Sequence, residues 1–123
     1  MTRIANFAQF SDDPFRLRIG DDIDKTLSRV IEAHPADGEG ALLMWRTRRE
    51  GSGKVTYTVK VNNTVIGPLT TSLEDRVTVH EALATADIKQ GTNTVEFRLK
   101  HENTDNSATL DVGDVILWYR QNV

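Results

Sequence analysis

Apolar and polar positions alternate with a period of two along several stretches of the chain, the pattern of a strand with one buried face. In residues 54–62, Val55, Tyr57, Val59 and Val61 share one face while Thr56, Thr58 and Lys60 share the other. Val95, Phe97 and Leu99 alternate with Glu96, Arg98 and Lys100, and Phe15, Leu17 and Ile19 with Arg16 and Arg18. Near the C-terminus, Val115, Leu117 and Tyr119 alternate with Ile116, Trp118 and Arg120. Residues 26–33 read as a further strand from their β-branched content, although their alternation is poorer. The one helix the pattern allows is a turn or two over residues 80–89, with Leu83 and Ala86 on one side and Gly91 just beyond.

Turn residues punctuate these runs. Asp13-Pro14, Gly51-Ser52-Gly53, Asn62-Asn63, Gly67-Pro68, Gly91-Thr92-Asn93 and residues 103–107 supply positive-φ positions or a fixed-φ proline where a chain reverses. Many short strands with such turns, and hardly any helix, predict an all-β fold: an antiparallel β-sandwich or jelly roll. A chain of 123 residues suits one domain, residues 1–123. Pro35 opens a polar, glycine-bearing loop too short to divide it.

Composition narrows the function classes. The formal charge is −3 with acids and bases interspersed, so there is no basic field for nucleic acid and no polybasic membrane segment. The absence of cysteine excludes thiol catalysis, thiolate metal sites and disulfides. No segment approaches membrane-spanning length, and the first eleven residues lack the apolar run of a secretion signal. A complete chain of this kind is expected to be cytoplasmic.

From Val55 onward the order of motifs resembles a known family. Y-T-V-K-V-N-N-T-V-I-G is a strand, an asparagine turn and a second strand. R-V-T-V-H-E-A-L, D-I-K-Q-G-T-N-T-V-E-F-R-L and L-D-V-G-D-V-I-L-W-Y follow. The whole is similar to the galactose-binding-domain-like β-sandwich of carbohydrate-binding modules and of accessory domains in glycoside hydrolases. There a valine-asparagine-glycine hairpin precedes a connecting segment, and a lysine-x-glycine-x-asparagine turn leads into a long strand. The likeness covers about residues 41–119, with Asn62-Asn63 standing for the usual Asn-Gly. It implies a non-catalytic binding module with carbohydrate as ligand and, in many such domains, a structural calcium.

Trp118 and Arg120 lie on the outward side of the last strand, with Ile116. That stripe is a binding platform, a contact with another chain, or a face covered by residues 4–10. Trp45, like any tryptophan taken alone, fits core packing before ligand contact. The expected carbohydrate site combines Trp118 and Arg120 with the loops of Asn62, Asn63 and Asn103. Asp21, Asp22 and Asp24 are the candidate calcium ligands, without the spacing of an EF-hand loop, and Asp111 and Asp114 form a second acidic pair. Arg46, Arg48, Lys60, Arg98, Lys100 and Arg120 could form a basic band against Glu50, Glu96 and Glu102, for which cross-strand ion pairing is the favoured account. No serine sits in a nucleophile elbow near His34, His80 or His101, so no enzyme activity is expected. The alternative to a binding module is a self-assembling sandwich, an oligomer, coat or filament subunit joined through exposed strand edges.

Overall fold

The computed structural model of the chain describes residues 3–36, 40–84 and 87–122. Among them are nine strands: β1 (Arg3–Ser11), β2 (Phe15–Leu17), β3 (Asp24–Ile31), β4 (Ala41–Gly51), β5 (Val55–Val61), β6 (Thr64–Thr71), β7 (Val77–Leu83), β8 (Gly91–Leu99) and β9 (Ala108–Asn122). They build two antiparallel sheets, as the alternation predicts. One sheet has the order β1-β9-β4-β7, with β2 pairing the first half of β9 where β1 pairs the second. The other has the order β3-β8-β5-β6.

The faces follow the period-two pattern. Val55, Tyr57, Val59 and Val61 of β5 and Val95, Phe97 and Leu99 of β8 turn inward against Leu43 and Trp45 of β4 and Val115, Leu117 and Tyr119 of β9. Full burial of each large apolar side chain is worth about 1.5–3 kcal/mol. At the centre Trp45 is edge-on to both Phe97, at 5.6 Å, and Tyr57, at 6.4 Å between ring centroids. The Trp45 indole N–H donates to the Tyr57 hydroxyl at 3.0 Å, satisfying the polar atoms that a buried tryptophan and tyrosine bring with them. Burial pushes the Tyr57 hydroxyl pKa above the ordinary tyrosine value.

Three local expectations are corrected. Residues 80–83 are not helical: they belong to β7, whose Leu83 pairs with Ala41 and turns inward. The chain then bends through Ala84, whose carbonyl accepts from the Asp87 N–H at 3.0 Å. The β-branched Val77 and Val79 and the register with β4 outweigh the helix propensity of the alanines beyond. Ala86 lies outside the described residues. Gly67-Pro68 is not a reversal either but a bulge within β6, between the pairs Tyr57–Leu69 and Val59–Ile66. An edge strand tolerates a proline there because its outward side needs no N–H donor.

Third, Gly91-Thr92-Asn93 is not a reversal but the start of β8, paired with Ile31, Val30 and Arg29 of β3. Of the two accounts of the surface cations, ion pairing holds and the single basic band does not. Arg46 and Arg48 lie on the β4 sheet, whereas Lys60 and Arg98 lie on the other. A sandwich turns its two polar faces in opposite directions, so these cations never form one surface. They pair locally instead. Arg98 is 3.4 Å from Asp24, and Lys60 is the register partner of Glu96.

Candidate functional site

The outer face of the five-stranded sheet is set by β9. Leu110 and Val112 point inward, then Val115, Leu117 and Tyr119 do, so the inward phase slips by one residue between 112 and 115. A β-bulge at Gly113-Asp114 makes the slip: Asp114 has φ 52°, and the register with β4 shifts between Met44 and Arg46. The β1 register shifts beside it, between Gln9 and Ser11. A Cβ on Gly113 would stand 3.1 Å from Arg76 Nη1, so the missing side chain leaves room for that guanidinium.

The bulge divides the outer face into two chemistries. On its N-terminal side Asp111, only 1% exposed, sits among arginines. Its Oδ2 accepts from Arg76 Nη2 at 2.9 Å and Arg48 Nε at 3.1 Å, with Arg16 Nη2 at 3.8 Å. Glu50 accepts from Arg16 Nε at 2.8 Å and extends the network. Burial alone would raise the Asp111 pKa, but the hydrogen bond from Arg48 and the charge and hydrogen bond of Arg76 outweigh it and hold the carboxyl below its usual value. The network fastens the segment before β7 to β4, β2 and β9. It is structural.

On the C-terminal side the face is apolar and aromatic. Trp118 pairs in register with Phe7 on β1 and with Leu42 on β4, and Leu42 pairs with Ala82 on β7. The neighbouring row runs Gln9, Ile116, Met44, His80. Phe7 is 53% exposed and Trp118 38%, their ring centroids 5.2 Å apart and their planes tilted by 44°. The Trp118 indole N–H donates to Met44 Sδ at 3.1 Å. That bond orients the ring and leaves part of it in solvent. Arg120 is exposed on the same strand, and a hollow of about 190 Å³ lies beside Trp118, lined also by Asn6, Gly40, Ala41 and Arg120.

Trp118 thus faces outward with Ile116 and Arg120, as the alternation requires. The segment of residues 4–10 does not cover it. As β1 it runs alongside in the same sheet and adds Phe7 to the exposed row. Sequence reasoning missed Phe7 and Met44, because no pattern in the chain says which strand lies beside β9.

The other candidates are held elsewhere. Asn62 has φ 51° at the β5–β6 reversal, and its side chain is fully engaged. Its amide donates to the Asp87 carbonyl at 2.8 Å and to Asn93 Oδ1 at 2.9 Å, and its Oδ1 accepts from the Thr94 N–H at 3.0 Å. Asn93 is buried and bonds Lys89 through both its amide and its oxygen. Asn62 therefore fastens the hairpin to β8. Asn63 is exposed at the same tip, on the sheet opposite to Trp118. Asn103, φ 64°, lies at the other end of the sandwich, where its carbonyl accepts from Thr56 Oγ1 at 2.9 Å. Five residues of β5 separate Thr56 from Val61, about 16 Å at the rise of a strand. Trp118, Asn62–Asn63 and Asn103 do not converge.

Nor do the proposed calcium ligands. Asp21 and Asp22 lie in a turn closed by the Arg18 and Asp22 backbones, and Asp24 begins β3 and faces Arg98. Among the described residues no three of His, Cys, Asp or Glu come together as a metal site. Asp114 is held by the bulge, 3.6 Å from Arg46. His34, His80 and His101 are each exposed, in three separate parts of the fold.

No protein-family model matches the chain, and no curated relative matches it. Solved structures do. A family 35 carbohydrate binding module from Clostridium thermocellum aligns with a TM-score of 0.51 at 12% identity, over 92% of this chain and 97% of that one. The CBM36-1 domain of a multidomain xylanase from the hindgut metagenome of Trinervitermes trinervoides aligns at 0.48 and 12% identity, over 94% and 96%. The cycloalternan-forming enzyme from Listeria monocytogenes, solved with a pentasaccharide substrate, aligns at 0.46 and 19% identity. There 79% of this chain spans only 8% of the enzyme's length. The chain has the β-sandwich fold of carbohydrate-binding modules.

Proposed function

We propose that the chain, as one domain, is a non-catalytic module that binds carbohydrate on the outer face of the β1-β9-β4-β7 sheet. The observation that carries this reading is the exposed Phe7–Trp118 pair, held in register on adjacent strands. The apolar face of a sugar ring packs against aromatic faces, while flanking polar groups fix its hydroxyls. Arg120 and Gln9 stand next to the pair in those flanking positions. The likeness of fold to a family 35 carbohydrate binding module supports the same class of ligand. The reading replaces the Asn62 and Asn103 contacts with Phe7 and Met44, and it needs no metal.

A glycan array probed with the wild-type chain, Trp118→Ala and Phe7→Ala tests it. The wild type is expected to bind a set of glycans that both variants lose, with thermal unfolding little changed. Binding that survives both substitutions overturns the placement. A second outcome, no glycan bound but assemblies in light scattering that Trp118→Ala dissolves, turns the aromatic row into a self-association surface instead.

A further inference from the structure

A cleft of about 920 Å³ opens on the side of the sandwich where β1, the margin of one sheet, lies against β3, the margin of the other. Tyr119 and Gln121 of β9 line it as well, beside Asn6 and Ala8 of β1. Its floor includes Ala8, Ile31 and Tyr119, and its rim includes Ser28, Arg29 and Val30. β3 pairs only with β8, through eight consecutive partners without a register shift, from Asp24–Arg98 to Ile31–Gly91. Its outer edge therefore presents a regular row of backbone N–H and C=O groups without proline or bulge to interrupt it, and residues 28–31 of that row border the cleft.

Two charges govern what can pair there. Lys25 and Arg29 oppose Phe97 and Asn93, both buried, so they lie on the core-facing side of β3, at its exposed rim. Neither has an acidic partner among the described residues. Antiparallel pairing of β3 with β3 of a second copy, centred on Leu27, would set Lys25 of each opposite Arg29 of the other. Sliding by one pair leaves the like charges diagonal, still within reach. Like charges across a strand pair are unfavourable, so the edge opposes its own copy. A strand with acids at the same spacing meets both cations with opposite charge. Glu32 lies past the end of β3, so the favourable position for acid is opposite Arg29 and Lys25, not beyond Ile31.

We propose that the outer edge of β3 accepts an extended segment of another protein, which runs from the cleft beside Arg29 along the edge to Lys25 and carries two carboxylates four residues apart opposite those two cations. Main-chain hydrogen bonds supply affinity and the two cations supply selection, as in other strand-addition complexes. The cleft borders the aromatic face through Phe7 and Gln9, and Asn6 lines both the cleft and the hollow beside Trp118, whereas Trp118 and Arg120 do not line the cleft.

The probe is a blocked nine-residue peptide, valine or glutamate alternating with threonine, with its glutamates at positions three and seven. A lysine version and a version N-methylated at alternate amides are the controls. Titration followed by amide NMR is expected to shift and protect residues 24–31, with the lysine peptide bound about tenfold more weakly and the N-methylated one not at all. Arg29→Glu, and separately Lys25→Glu, change exposed side chains and are expected to reverse the charge preference while glycan binding is unchanged. No binding, equal binding of the two charged peptides, shifts confined to the Trp118 face, or concentration-dependent self-pairing of β3 overturns the proposal. Trp118→Ala leaves peptide binding intact if the proposal holds, so it and the carbohydrate reading fail separately.

Discussion

Asp111 shows how one side chain can hold a surface together. It is an acid on the outer side of a strand, yet it is shut from solvent by the arginines that claim it. Asp111→Asn keeps the shape but removes the charge that Arg48 and Arg76 share. Hydrogen bonds to charged groups are worth about 1.5–3 kcal/mol each, so a loss of about 2 kcal/mol in urea unfolding is expected. The pH dependence has a definite sign. The folded pKa lies below the ordinary 3.8, so the carboxylate contributes fully above that value. The contribution disappears as pH falls through the lowered folded pKa. Asp111→Asn should flatten that part of the acid-unfolding profile, and an unchanged profile would show that other carboxylates govern it. Asn62 teaches the complementary lesson: an asparagine in a loop looked free to meet a ligand, but every polar atom of its side chain has a partner within the chain.

The element that decides the candidate site is β9. Strict alternation from Leu110 would have sent Val115, Leu117 and Tyr119 outward and Trp118 into the core. The bulge at Gly113-Asp114 reverses this by inserting one residue. Asp114 carries the positive φ of that bulge, which glycine adopts freely and a β-branched residue does not. Asp114→Val is therefore expected to cost about 1–3 kcal/mol, and Asp114→Gly less than about 1 kcal/mol. Denaturant midpoints of the two variants check the ordering. Equal costs would mean that the Arg46 ion pair, not the backbone, is what Asp114 supplies. The same bulge separates the ionic and aromatic halves of the face, so moving it by one residue would dismantle both.

Across the whole molecule the two tryptophans mark inside and outside. Trp45 is fully buried between the sheets, and Trp118 is 38% exposed on one of them. Trp45→Ala should cost about 3–5 kcal/mol, the range for deleting a large aromatic from a core, whereas Trp118→Ala should cost no more than about 1 kcal/mol. Acrylamide should quench the fluorescence of a Trp45→Phe variant readily and that of a Trp118→Phe variant hardly at all. Comparable quenching of the two would contradict the assignment of faces. The class of fold and most strand positions are legible in the chain alone, because burial on one side of a strand writes a two-residue period into neighbouring positions; the direction of Trp118 follows from the period of residues 115–119 only once the bulge has reset it. The reversals at Ser52-Gly53, Asn62-Asn63 and residues 103–107 are legible too, since positive φ restricts residue choice locally, but Gly67 and Gly91-Thr92-Asn93 lie within β6 and β8. It could not say that Phe7 lies beside Trp118, that Asn103 stands at the far end from Asn62, or that Arg46 and Lys60 face opposite ways. Those facts depend on which strands become neighbours, and that is settled by packing two sheets together over residues far apart in the chain. The cleft beside β3 belongs to the same category: it exists only where the margins of two sheets meet.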